Sequence, residues 1–177
     1  MPKLPIPSLT FFIAFLLMLS PCLAQAIEQV YQQPEEFIDE LFKVKPKVKL
    51  LLLTKDMQSE VARILGHAPR QLRQRYWSEG ARTLWILEEI GKNDPITAGF
   101  VVKEGRIEQV KVLIYREYRG MEVRFPAFLK QFTGVSLSSG NSLDRQIDGI
   151  SGATLSVHAM ERMARTALYF DKLSRTK

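Results

Sequence analysis

The sequence predicts an α+β fold, an antiparallel sheet with helices packed against it and a C-terminal helix. Three observations predict it. Residues 96–115 alternate like two strands joined at a Glu-Gly turn. Residues 155–173 carry apolar side chains at helical spacing. The chain of 177 residues, 46% hydrophobic and 25% charged, can build one core and is short for two.

The first element is a leader. Lys3 and the free amino terminus precede an apolar run, Leu9 to Leu19, and Ala24-Gln25-Ala26 is a small-x-small site. Residues 1–26 therefore read as a secretory signal peptide, and the run is short for a bilayer span. An uncleaved N-terminal membrane anchor is the alternative; lipidation at Cys22 is disfavoured by Pro21. The expected location is periplasmic or otherwise exported.

Pro34 to Phe42 suits a short helix, with Pro at its start and Glu35 and Glu36 in its first turn. Val48 to Thr54 reads as a buried strand, built on the run Leu50 to Leu53. Asp56 is placed to cap a helix carrying Met57, Val61, Ile64 and Leu65, and Gly66 to stop it. Leu72–Trp77 and Thr83–Leu87 read as strands around the turn residues Ser78-Glu79-Gly80.

The clearest hairpin joins Ile96–Val102 to Ile107–Tyr115 through Glu104-Gly105. On its second strand Val110, Val112 and Ile114 are expected on one face, and Lys111, Leu113 and Tyr115 on the other. Pro126 to Phe132 suits a short helix, and 133–147 a loop. The helix Leu155–Leu173 carries a stripe of Val157, Met160, Ala164, Ala167 and Leu168, with Glu161 and Arg165 spaced for an ion pair. The expected division is leader 1–26, an N-terminal extension or subdomain 27–94, and a C-terminal domain 95–177.

Composition excludes several chemistries. One cysteine, inside the leader, rules out a disulfide scaffold, a Cys-based metal cluster and a haem attachment. Two histidines are too few for a His-rich metal site, so any redox chemistry is expected to need a bound cofactor. Net charge is +6, with the charges read as scattered along the chain. Together with the leader, this points to an acidic protein partner or an anionic membrane surface and away from nucleic acid.

One segment carries chemistry: Asp148-Gly149-Ile150-Ser151-Gly152-Ala153-Thr154, directly before the C-terminal helix. Its glycines and Ala153 permit close approach of another molecule, and Ser151, Thr154 and Ser156 offer hydroxyls. The helix that follows turns free N–H groups and the positive end of its dipole toward the loop, which favours a phosphate. The plainer reading is that Ser or Thr caps the helix and Gly makes a turn.

The order of the seven residues resembles the flavinylation motif of the FMN-binding domain family, which includes covalent-FMN subunits of the sodium-translocating NADH:quinone reductase and the Rnf complex. The resemblance implies FMN bound through a phosphoester to Thr154. It implies attachment by a flavin transferase that uses FAD and magnesium and releases AMP. Asp148 would serve transferase recognition, and Ser151, Gly152 and Ala153 are the small motif positions. Upstream, Glu117 and Gly120 match a family turn loosely and are weaker flavin contacts. The resemblance spans roughly 95–172 and leaves 27–94 unexplained.

The resemblance thus implies an exported electron-transfer flavoprotein, relaying electrons between a membrane-bound reductase and another redox protein. No catalytic residue is assigned: nothing in the sequence forms a triad to activate Thr154, and His158 one turn on reads as an ordinary helix histidine. Arg116, Arg119 and Arg124 are candidates to stabilise reduced flavin. Trp77, Trp85, Tyr115 and Tyr118 are candidates to stack on its ring. A flavin-dependent reductase of a small acceptor and a flavin-free interaction module remain as alternatives.

Overall fold

The computed structural model describes residues 28–44 and 46–176; the leader expected over 1–26 lies outside them. The chain enters as a two-residue strand, β1 (Gln29–Val30). Helix α1 (Pro34–Leu41) follows, started by Pro34 and by a reciprocal capping box between Gln33 and Glu36. Strand β2 (Lys49–Leu52) leads to helix α2 (Lys55–Leu65). The cap of α2 is Thr54, whose Oγ1 accepts from the Met57 N–H, and not Asp56, which lies inside the first turn. Gly66 ends α2 with φ of +82°, the left-handed conformation that glycine takes most readily.

Strands β3 (Arg73–Glu79) and β4 (Arg82–Ile90) are longer than their sequence pattern, because Ser78 and Glu79 continue the strand and the turn falls at Gly80-Ala81. Strands β5 (Pro95–Lys103) and β6 (Arg106–Tyr115) form the expected hairpin. Glu104 and Gly105 both take positive φ (+53° and +76°), the signature of a two-residue type I′ turn. A 3₁₀ turn over Met121–Arg124 precedes the short helix α3 (Pro126–Leu129), which tightens into another over Lys130–Phe132. The long helix α4 (Thr154–Arg175) ends the fold.

Among the described residues the strands form one six-stranded sheet in the order β1-β6-β5-β4-β3-β2, with antiparallel neighbours. Residues 28–94 thus supply four strands of the same sheet that holds β5 and β6. Helices α2 and α4 bury the main core on one face, around Trp85, Phe100 and Met160. Helix α1 covers a smaller cluster on the other, with Phe37, Ile38 and Leu113. Gly99 gives room for this packing, since a Cβ there would fall 2.3 Å from the Phe37 ring.

A β-bulge corrects the face assignment on β6. Thr97 pairs with Ile114 but Ala98 pairs with Val112, so Leu113 is the extra residue. Ile114 joins Leu113 in the α1 cluster, while Tyr115 returns to the α4 face with Val110 and Val112. Strict alternation would have pointed Tyr115 away from α4.

Two further expectations are corrected. The run Leu50 to Leu53 is an edge strand, and Leu50 and Leu52 stay exposed because no helix covers that face of β2. The Glu161–Arg165 pair does not form. Arg165 donates instead to the Ile64 carbonyl in the last turn of α2, where helix carbonyls lack intrahelical partners.

Candidate functional site

The seven-residue segment is built onto the first turn of α4. Ile147 is buried and Ile150 packs against the main core, so the segment is pegged at both sides of Asp148-Gly149. The Asp148 N–H donates to Gln131 Oε1 at 2.7 Å, which ties the segment to the 3₁₀ turn after α3. The Ala153 N–H donates to the Ile150 carbonyl at 3.0 Å and closes a β-turn. Its third residue is Gly152 at φ +80°, as a type II turn requires.

That turn presents Ser151 and Gly152 at an exposed tip and tucks Ala153 into the protein. Thr154 is exposed and is the first helical residue, not the cap. The cap position belongs to Ala153, and no side chain accepts from the helix N–H groups. The capping explanation of the hydroxyls therefore fails here. A helix of 22 residues starts with its first N–H groups uncapped and its dipole unopposed, beside an exposed threonine hydroxyl. No acidic residue stands in the first turn to compete for that positive end.

Ser156, the third hydroxyl, faces inward. It is buried, and its Oγ lies 3.2 Å from the Tyr115 hydroxyl. Tyr115 donates to the Arg119 carbonyl at 2.5 Å, so its proton is committed and Ser156 is the donor between the two. Burial, the largest cause, raises the Tyr115 pKa, which keeps the phenol protonated for this role. Tyr115 and Gln131 both position the segment, and neither carries a motif signal. Tyr115 reaches it only because of the bulge at Leu113.

Gly120 and Glu117 hold the turn that leads away from β6. Gly120 has φ of +85°, and a Cβ there would fall 2.7 Å from Ser156 Oγ and 3.1 Å from the Ala153 Cβ. Its lack of a side chain lets the turn close onto the start of α4. Glu117 is buried and turned the other way. Its Oε1 accepts the N–H groups of Lys92, Asn93 and Asp94, the last two at 2.7 and 3.1 Å. The carboxylate thus serves as a clamp on the β4–β5 connection.

The aromatic and basic candidates separate by place. Trp85 is fully buried, stacks on Tyr76 at 4.6 Å and donates to Thr83 Oγ1, so it is core. Trp77 packs with the α1 cluster. Tyr118 is 63% exposed on the turn beside Gly120. Arg116 is engaged with Glu28 and Glu88. Arg124 lies against the rings of Tyr31 and Phe125, at 4.5 and 4.9 Å. Arg119 and His158 are exposed.

Beyond the clamped connection, buried Glu89 binds Arg162 of α4 and His67. His67 Nδ1 lies 2.9 Å from the Ala68 carbonyl, and Nε2 lies 3.1 Å from both Glu89 oxygens. Both ring nitrogens face acceptors, so the Ala68 carbonyl first and Glu89 second raise the His67 pKa. A cleft of about 360 Å³ opens where β3 splays from β4, lined in part by His67, Gln74 and Trp77. It contains none of residues 148–154. Among the described residues, no group of three or more potential metal ligands gathers.

The model of the FMN-binding domain family matches residues 91–169. This stretch is an FMN-binding domain. The match runs from the connection clamped by Glu117 through the seven-residue segment and most of α4. The FMN-binding domain therefore includes every motif residue named from the sequence, and it implies flavin binding. A search among curated proteins gives no match.

Proposed function

We propose that the protein is an exported electron carrier whose FMN is linked covalently, through its phosphate, to Thr154 Oγ. One observation carries this reading: the uncapped start of α4 beside an exposed threonine. The residues present fit a phosphoester there. Backbone N–H groups face the position an anion would take, the first turn holds no acid, and Gly152 leaves the approach open, with no atom within 4 Å of a Cβ placed on it.

Attachment balances as follows. The Thr154 oxygen bonds to the FMN phosphorus of FAD, the pyrophosphate bond to AMP breaks, and the hydroxyl proton leaves to a base. Nothing in the segment supplies that base, since a threonine hydroxyl is a weak nucleophile and its described neighbours are Ala153, Leu155 and the turn. A magnesium-dependent flavin transferase supplies it, with Asp148 and Ser151 exposed for recognition. Bound flavin supplies one- or two-electron transfer. The chain's own part is to hold the phosphate at the helix start and to fix the turn at Gly120 beside it.

The natural partners are the transferase and a pair of redox proteins, one of them in the membrane. Producing the protein with such a transferase tests the reading. Flavin fluorescence should stay with the polypeptide through denaturing electrophoresis, and Thr154→Ala should lose it. Fluorescence that leaves on denaturation would contradict covalent attachment while leaving flavin binding intact.

A further inference from the structure

We propose that the bare face of the β2–β3 ribbon docks on an anionic lipid bilayer. Residues 43–55 and 70–78 contain eight of the 25 basic residues and none of the 19 acidic ones. The excess positive charge of the chain is therefore gathered in these two stretches, and the fold pairs Lys49–Leu52 of one with Arg73–Tyr76 of the other at the edge of the sheet. The sequence reading of scattered charge is corrected by this pairing.

The same ribbon exposes aliphatic surface. Val44, Val48, Leu50, Leu52 and Leu72 are between 53% and 78% exposed. Leu50 lies opposite Arg75 and Leu52 opposite Arg73, so leucine and arginine share one face of the sheet. Lys47 and Lys49 are exposed along the free edge. Two acids approach: Glu88 pairs with Arg70 at 3.7 Å and, with Glu35, lines the cleft beside Arg75, which leaves Arg73 and the lysines without an acidic neighbour in their own segments.

This composition selects the occupant. Lysines and Pro46 along a free edge oppose pairing with the strand of a second copy. The exposed apolar residues of the ribbon are all aliphatic, without the aromatic anchor that a protein partner grips. A bilayer needs only charge attraction and apolar area, and long basic side chains keep their heads in the headgroup layer while aliphatic ones enter. Docking leaves Thr154 free, since β6 lies four strand spacings, about 20 Å, from β2.

The test measures partition of the purified protein, as the cell produces it, onto vesicles. Vesicles of phosphatidylcholine with about one-third phosphatidylglycerol should bind it, and pure phosphatidylcholine should not. Each of Lys47→Gln, Arg73→Gln and Arg75→Gln should weaken binding about five-fold. The pair Leu50→Ser with Leu52→Ser should weaken it about ten-fold or more. A probe on Leu50→Cys in a Cys22→Ser background should become shielded on binding, and one on Tyr118→Cys should not.

Equal binding to neutral vesicles overturns the proposal. So does binding that ignores the leucine variants, a probe at position 50 that stays exposed, or occlusion of the face by a dimer or an acidic protein instead. The probe experiment holds even if the double variant folds poorly. None of these readouts involves flavin, so the outcome is separate from the reading of Thr154.

Discussion

Glu117 has a structural task that can be measured. Its buried carboxylate accepts three backbone N–H groups, and bonds of that kind to a charged acceptor are worth more than neutral ones. Glu117→Ala should lower unfolding free energy by about 2–3 kcal/mol in urea melts. An unchanged midpoint would mean the clamp carries no stability. Gly120→Ala combines a left-handed backbone with a methyl against Ser156, and a loss of about 2 kcal/mol is expected from the same melts. His67 makes stability depend on pH. Its folded pKa is raised above the ordinary 6.5, so its contribution is full below that value and is lost as pH rises through the higher folded value. The gap in Tm between wild type and His67→Gln should be widest at mildly acidic pH and close at alkaline pH. The groups facing it are Glu89, Arg70, Arg162 and the Ala68 carbonyl. The FMN-binding domain was legible in the sequence because the motif that suggests it, residues 148–154, is local. Tyr115, Gln131 and the clamp of Glu117 were not, since each acts across the fold on a segment distant in the chain.

Helix α4 is held firmly at its far end and left open at its near end. Asp171 is fully buried, accepts from Thr83 Oγ1 at 2.6 Å and pairs with Arg175. Asp171→Ala should cost about 2–3 kcal/mol, read by denaturant melts with flavin absent, and should leave attachment at Thr154 intact once folded. Loss of attachment in a folded Asp171→Ala would show that the two ends are coupled. The near end relies on Tyr115 and Ser156 instead of a cap, and Tyr115 arrives there through the bulge at Leu113. Periodicity located every long element. It missed the bulge because one extra residue leaves the apolar pattern readable while exchanging the faces beyond it. It also misread β2 as buried, since an apolar run does not say whether a helix will cover it.

At the scale of the molecule the sheet separates two tasks. The Ser151-Gly152 turn lies at the β6 side, and the cationic aliphatic ribbon at the β2 edge. High salt should release the protein from anionic vesicles while leaving its flavin in place, because screening acts on exposed charge and not on a covalent bond. The fold class was legible from one hairpin and one helix, yet the sharing of a single sheet by 28–94 and the FMN-binding domain was not, because β1 pairs with β6 between positions far apart in the chain, Gln29 with Tyr115. The account rests most directly on Thr154. Intact mass and peptide mapping of protein produced with a flavin transferase measure it. The prediction is added mass of one FMN less one water on the peptide that holds Thr154, and none in Thr154→Ala. Unmodified Thr154 in a folded chain, or the same mass on another residue, would contradict it.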